Sequence, residues 1–254
     1  MRYQIYRHAA IFRRPFNFTA KFQQYQRNIS IMSKVSQPRI ANPVLFICDI
    51  QERFQKAIYQ FPAVVTTTLK LLSAASTLKI PVYITTQNRR ALGDTLPEIL
   101  KATASTDVVV NADKSLFSMC TQEVLDKLDE AAPEGKKQEV VIVGIETHIC
   151  VMQTTLDLLE RGHKVWVVRD GVSSCNPQEI GTALARLQQA GAIITTSESF
   201  LFECMKDSAR PEFKPIASLV KETKATTKEC LEALIGPTGT QESGGISSDC
   251  SKLF

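Results

Sequence analysis

Three polar residues stand at corresponding places in the chain. Asp49 closes the apolar run Leu45-Phe46-Ile47-Cys48, Lys114 follows Val108-Val109-Val110, and Cys150 follows Val140-Val141-Ile142-Val143-Gly144 and a short turn. A carboxylate, an ammonium and a thiol brought together can do nucleophilic chemistry. A thiol is a weak nucleophile until it loses its proton, and the positive end of a helix favours the thiolate. Cys150 reads as the opening of a helix over residues 149–160. Asp49, partly desolvated, would accept the sulfur's proton. Lys114 would hold the aspartate charge, and backbone N–H groups around Ile149 and Cys150 would cradle a developing oxyanion. Attack on a carboxamide then gives a thioester and an amine. Protonated Asp49 would serve as acid to the amine and afterwards as base to water.

Each residue also has a plainer role. Cys150 could be a small buried apolar group, Asp49 the N-cap of a following helix, and Lys114, beside Asp113, ordinary surface charge. His148 is a rival base, but on the turn it more naturally shapes the pocket or faces solvent. Cys48 reads as core, and Cys120, Cys175, Cys204, Cys230 and Cys250 have no supporting constellation.

To bring these residues together the chain must build a parallel sheet. Strand-like runs are expected over residues 44–50, 81–86, 107–111, 139–143, 164–169 and 192–195. Helical periodicity falls between them, over 62–79, 119–131, 149–160 and 177–190, with a helical turn or two over 52–60 and short helices up to about 222. This alternation predicts an α/β fold: a doubly wound, mostly parallel sheet with helices on both faces. Right-handed crossovers then put every strand's carboxyl end on one edge, where ligands bind. The loop over residues 87–96 has no predictable course. Beyond Thr223 the pattern fades, and residues 223–254 are expected to form a turn or two and then a loose tail. Within that tail, Gly236-Pro237-Thr238-Gly239 lacks the Gly-Lys-Ser/Thr of a phosphate loop, and Ser251-Lys252-Leu253 is followed by Phe254, which spoils it as a terminal peroxisomal address.

Composition sets the frame. A chain of 254 residues, 44% hydrophobic and 22% charged, suits one medium-sized core with extensions. No apolar run approaches the roughly 18 residues of a membrane span, and neither a membrane nor a nucleic-acid partner is expected. Seven cysteines without a Cys-x-x-Cys pair argue for a reducing compartment. The net charge of +4 hides an asymmetry: residues 1–48 carry eight basic residues and no acid, and the remainder carries 22 basic and 26 acidic residues. The basic leader, roughly residues 1–37, places Ile5, Ala9 and Phe12 on one helical face and Arg7 and Arg14 opposite, as in a mitochondrial transit peptide. Two alternatives stand beside it: a basic arm for nucleic acid or anionic lipid, or a cytoplasmic protein whose translation starts at Met32.

Three motifs in order, Phe46-Ile47-Cys48-Asp49-Ile50-Gln51-Glu52-Arg53-Phe54, Lys114-Ser115-Leu116-Phe117-Ser118-Met119 and Gly144-Ile145-Glu146-Thr147-His148-Ile149-Cys150, resemble the isochorismatase-like hydrolase superfamily, in particular its eukaryotic isochorismatase domain-containing members. The likeness spans residues 42–222. It implies a six-stranded parallel sheet, Asp49 as base, Lys114 as its partner and Cys150 as nucleophile. It also implies a cis peptide between Ile145 and Glu146 at an oxyanion turn completed by Ile149, and it marks Gln51, Phe54, Phe117 and His148, within the same motifs, as pocket candidates. Nicotinamidases of this fold bind a metal through an Asp and several His lying between the Asp and Lys motifs. Here no His lies between His8 and His148, so neither metal nor other cofactor is expected. True isochorismatases cleave a vinyl ether without needing the cysteine. Retention of Cys150 therefore implies a small-molecule amide or related C–N substrate. The alternatives are an ether hydrolase using Asp49 and Lys114 alone, and a catalytically idle interaction protein. The relatives also imply a homo-oligomer.

Overall fold

The computed structural model describes residue 40 and residues 42–132 and 135–236. The basic leader, the Met32 start and the tail from residue 237, Cys250 included, lie outside the described residues.

β1 (Pro43–Cys48) leads through a short 3-10 turn (Glu52–Lys56) to the long helix α1 (Phe61–Leu78) and then β2 (Val82–Gln87). Two short helices follow, α2 (Arg89–Leu92) and α3 (Pro97–Ala102), before β3 (Val108–Lys114) and α4 (Gln122–Glu130). β4 (Glu139–Ile145) runs into a π-type turn (Thr147–Val151) and α5 (Met152–Glu160). Then come β5 (Lys164–Ser173), α6 (Pro177–Gln189), β6 (Ile193–Thr195), α7 (Ser197–Met205), α8 (Phe213–Glu222) and α9 (Lys224–Ile235). The six strands form one all-parallel sheet in the order β3-β2-β1-β4-β5-β6. The expected doubly wound α/β architecture is the observed one.

The sheet is apolar on both faces because it is covered on both. Successive side chains point to opposite sides of a strand. Leu45, Ile47, Val141, Val143, Trp166 and Val168 therefore face α1 and the C-terminal helices. Val44, Phe46, Cys48, Val140, Ile142, Val165 and Val167 face α4, α5 and α6. Chain order reverses between β1 and β4, and the crevice at such a switch point is where doubly wound sheets receive ligands.

Four elements differ from the sequence expectation. β3 runs on to Lys114, and its alternation buries Val110, Ala112 and Lys114 while Asn111 and Asp113 face out. β5 runs on to Ser173, through a register shift against β4 between Ile142 and Gly144. The helix around Cys150 starts at Thr147, as a wider turn in which the Glu146 carbonyl accepts from both Ile149 N–H and Val151 N–H at 3.1 Å. Finally, the chain beyond Thr223 forms more than a turn or two: α9 packs against α1 and β5, burying Thr227, Cys230 and Leu234. Its apolar positions are sparse enough to hide the helical period.

α1 corrects the expectation about membrane-length segments. Its 18 residues are apolar enough, by length and composition alone, to cross a bilayer. They are instead largely buried within the fold, against β4, β5 and α9, and the helix carries the buried Lys70.

Candidate active site

Asp49 is the first residue past β1, and it adopts a left-handed backbone conformation with φ of 52°. That turns its side chain back over the strand end. Its N–H donates to the Thr85 carbonyl at 3.2 Å, and Thr85 Oγ1 donates to Asp49 Oδ1 at 2.8 Å. It caps no helix: the 3-10 turn that follows has Gln51 at its N-cap, without a side-chain bond.

Lys114 arrives from the sheet edge. The β3 alternation aims it inward, and its ammonium crosses the end of β2 to reach Asp49 Oδ2 at 2.7 Å. It also donates to Gln87 Oε1 at 2.8 Å and to the carbonyls of Leu116 and Phe117 at 3.2 and 3.0 Å. The lysine side chain has no exposed surface and the aspartate's is 1% exposed, so this is a buried ion pair and not surface charge. Burial pulls the ammonium's pKa down. The acidic groups of Cys48, Asp49 and Cys150, with the Asp49 hydrogen bond, outweigh that and hold it above its ordinary value.

Cys150 lies in the first turn of the helical segment after β4, buried but bordering a cleft. The cleft, about 370 Å³ with the solvent space at its mouth, is lined by Asp49, Gln87, Glu146 and Cys150. Phe54, Leu92, Phe117, Ile145 and Ile149 complete the wall. The Ile145–Glu146 peptide is cis, as the motif resemblance implies. The three strand-end residues therefore share one site, at the switch point between β1 and β4.

The remaining candidates divide. Phe54, Phe117, Ile145, Glu146 and Ile149 line the cleft. Gln51 does not. It is fully buried behind the wall, where its side chain accepts from Gln87 N–H at 2.7 Å and donates to the carbonyls of Gln87 and Gly93 at 3.1 and 2.8 Å. Gln51 thus pins the loop that carries Leu92. His148 does not line the cleft either. Its Nδ1 lies 2.9 Å from Ser174 Oγ and 3.9 Å from Glu146 Oε2, so it braces the back of the turn. As for the oxyanion cradle, the Ile149 N–H is committed to the Glu146 carbonyl at 3.1 Å. The Cys150 N–H is the remaining candidate of the expected two.

Four contributors escape the sequence pattern. Thr85 and Gln87 end β2 between the Asp and Lys strands, so the strand-end rule that finds Asp49 would also have found them. Thr154 donates to the Cys150 carbonyl at 2.6 Å and accepts from Met119 N–H at 2.8 Å, tying the cysteine turn to the segment after β3. Cys48 is the least expected. It faces the α4–α6 side with Cys150, its Sγ is 3.7 Å from Asp49 Oδ2, and it shares a hydrogen bond with the Cys150 side chain. Burial, that hydrogen bond and the Asp49 charge push its thiol well above the ordinary range, against a smaller pull from Lys114. Cys48 is therefore a protonated thiol touching both the base and the nucleophile candidates.

Glycine is required once here. Gly144 has φ of 120°, and a Cβ there would stand 2.1 Å from the Cys48 carbonyl oxygen. Only glycine lets β4 pass this close to β1.

Comparison with known proteins gives this site its setting. The model of the isochorismatase domain matches residues 43–199, which contain the whole cleft. The chain belongs to the isochorismatase family. It is 45% identical to the secreted isochorismatase effector Isc1 of Phytophthora sojae, over 70% of this chain and 84% of that protein. It is 38% identical to human isochorismatase domain-containing protein 2, over 70% and 83%. Among solved structures, the MAR1 ribonuclease of Caenorhabditis elegans superposes with a TM-score of 0.66 at 41% identity, covering 72% of this chain and 93% of that one. The family's hydrolase fold is thus this chain's fold.

Proposed function

We propose that the chain is a cysteine hydrolase of small amides or related C–N bonds, working through Asp49, Lys114 and Cys150 without a metal. One observation carries the reading: Asp49, held 2.7 Å from the buried Lys114 ammonium, lines the same cleft as a cysteine in the first turn of a helix. Asp49 takes the Sγ proton as sulfur attacks the substrate carbonyl carbon. The oxyanion forms beside the turn, with the Cys150 N–H as its donor. As the C–N bond breaks, protonated Asp49 gives its proton to the leaving amine. Water then attacks the thioester, Asp49 takes its proton, the carboxylic acid leaves, and the thiol recovers its hydrogen. Lys114 holds Asp49 in position between steps; its ammonium already faces four acceptors.

The test is Cys150→Ser assayed with wild type against a panel of small amides and ureides, with intact-protein mass spectrometry for the acyl-enzyme. Loss of turnover by about 10³-fold or more and of the covalent species is expected. Unchanged turnover, or cleavage of a vinyl ether by the variant, refutes the nucleophile assignment in favour of an ether hydrolase using Asp49 and Lys114 alone. We also propose that residues 1–31 direct import into mitochondria. A fluorescent fusion of the full chain is expected in mitochondria and one starting at Met32 in the cytosol; the same cytosolic distribution for both refutes it.

A further inference from the structure

The cleft's electrostatics select the charge of the substrate. Two of its walls are carboxylates, Asp49 and Glu146, and none of the lining residues is Lys, Arg or His. The cation behind the wall is already spent: Lys114 has three protons and faces four acceptors within 3.2 Å, and its side chain has no exposed surface. Its charge is balanced by Asp49, which leaves the Glu146 carboxylate without a lining cation; its titratable neighbour is His148, whose Nδ1 lies 3.9 Å from Glu146 Oε2 behind the turn. Glu146 Oε2 accepts from Cys175 N–H at 2.8 Å, which fixes the carboxylate in place. Arg89, in α2 with Leu92, is committed to Thr86, Asn111 and Asp94. Of the other lining residues, Phe54, Leu92, Phe117, Ile145 and Ile149 are apolar, and Gln87 is polar but uncharged. An anionic substrate group would lose its water here and meet like charge at short range, in a medium that screens poorly.

We infer that this site takes uncharged carboxamides with an apolar flank and rejects those that carry a carboxylate or phosphate near the scissile bond. The inference rests on the hydrolase reading for the word carboxamide, but its charge selection can be tested without turnover. Iodoacetamide and iodoacetate differ by one neutral-for-anionic exchange. Their alkylation rates at Cys150, resolved by peptide mass spectrometry on the whole protein, are compared with those of N-acetylcysteinamide, a neutral free thiol. The expected result is an amide-over-acid preference at Cys150 at least about tenfold beyond the free thiol's, equivalent to about 1.4 kcal/mol. Phe117→Lys should erase that preference by placing a cation in the wall; Phe117 is 45% exposed, so the change is compatible with folding. Glu146→Gln, which keeps the acceptor for Cys175, should reduce it. A ratio equal to the free thiol's overturns the inference, as does failure of iodoacetamide to reach Cys150. Strong discrimination without hydrolysis of any neutral amide would refute the hydrolase reading while leaving the charge selection standing.

Discussion

Lys114→Met tests whether the buried pair organises the site. At 2.7 Å and an effective dielectric constant near 20, the Coulomb attraction between Lys114 and Asp49 is about 6 kcal/mol. Desolvating two ions costs several kcal/mol each, so the pair's net contribution is small. Breaking it is another matter. The variant leaves the Asp49 carboxylate buried with the Thr85 hydroxyl at 2.8 Å and the Cys48 thiol at 3.7 Å as its side-chain partners, and it strips the Leu116 and Phe117 carbonyls of this donor. The expected loss is about 3–5 kcal/mol, which at a urea slope near 3 kcal/mol/M lowers the unfolding midpoint by roughly 1–2 M. Trp166, the single tryptophan and fully buried, reports the transition by fluorescence. Asp49→Asn combined with Lys114→Met removes both charges, so the double variant should recover at least about 1.5 kcal/mol of the summed single losses. The sign with pH follows from the raised ammonium. A folded pKa above the ordinary 10.5 means that the stability Lys114 contributes is whole below 10.5 and is lost only as pH climbs through the raised value. A single-variant loss under about 1 kcal/mol, or strict additivity of the two changes, refutes the argument.

Two further outcomes follow from the same geometry. Gly144→Ala places a methyl group 2.1 Å from the Cys48 carbonyl at a φ of 120°, so a stability loss of roughly 3 kcal/mol or more is expected in urea unfolding; a change under about 1 kcal/mol would mean that β1 and β4 are not so close. Alkaline pH should weaken the fold before Lys114 titrates. Burial raises Cys48 well above the usual 9.0, Cys120 to about 11 and Cys204 to about 12, so these thiols stay protonated in the folded chain after they ionise in the unfolded one. Their contribution is whole below about pH 9 and declines above it, by up to about 1.4 kcal/mol per pH unit for each group. A urea midpoint constant from pH 8 to 10.5 would contradict that.

The legible part of this molecule is the part governed by period and punctuation. β-branched runs ending in Asp49 and Gly144, and helices closed by Gly162 and Gly191, report a parallel sheet whose carboxyl ends share one edge. That is why Asp49, Lys114 and Cys150 could be grouped from one sequence. What stayed hidden depends on the third dimension. Gln51 and His148 sit in the right motifs, yet their partners, the carbonyls of Gln87 and Gly93 for one and Ser174 for the other, come from a strand end and loops 26 to 42 residues away, whose placement no local rule fixes. α9 was missed because its buried face is only Thr227, Cys230 and Leu234, too thin a stripe to register as a period.

Cys48 shows most clearly how an apolar pattern conceals a chemical role. In the run Val44 to Cys48 it occupies a core register, and in the fold it does pack with Val44 and Phe46 on the α4–α6 face. A thiol in that register satisfies the packing as a small apolar residue would. But β1 stops there, and the left-handed turn at Asp49 brings the carboxylate back within 3.7 Å of the sulfur, while the neighbouring β4 delivers Cys150 to the same side. The contact with the site comes from the turn and from the β1–β4 register, in which Cys48 stands opposite Gly144. The same glycine that permits the close approach of the two strands therefore also sets a second, protonated thiol against the base and the nucleophile candidates. Packing, backbone conformation and site chemistry converge on one pair of strand ends.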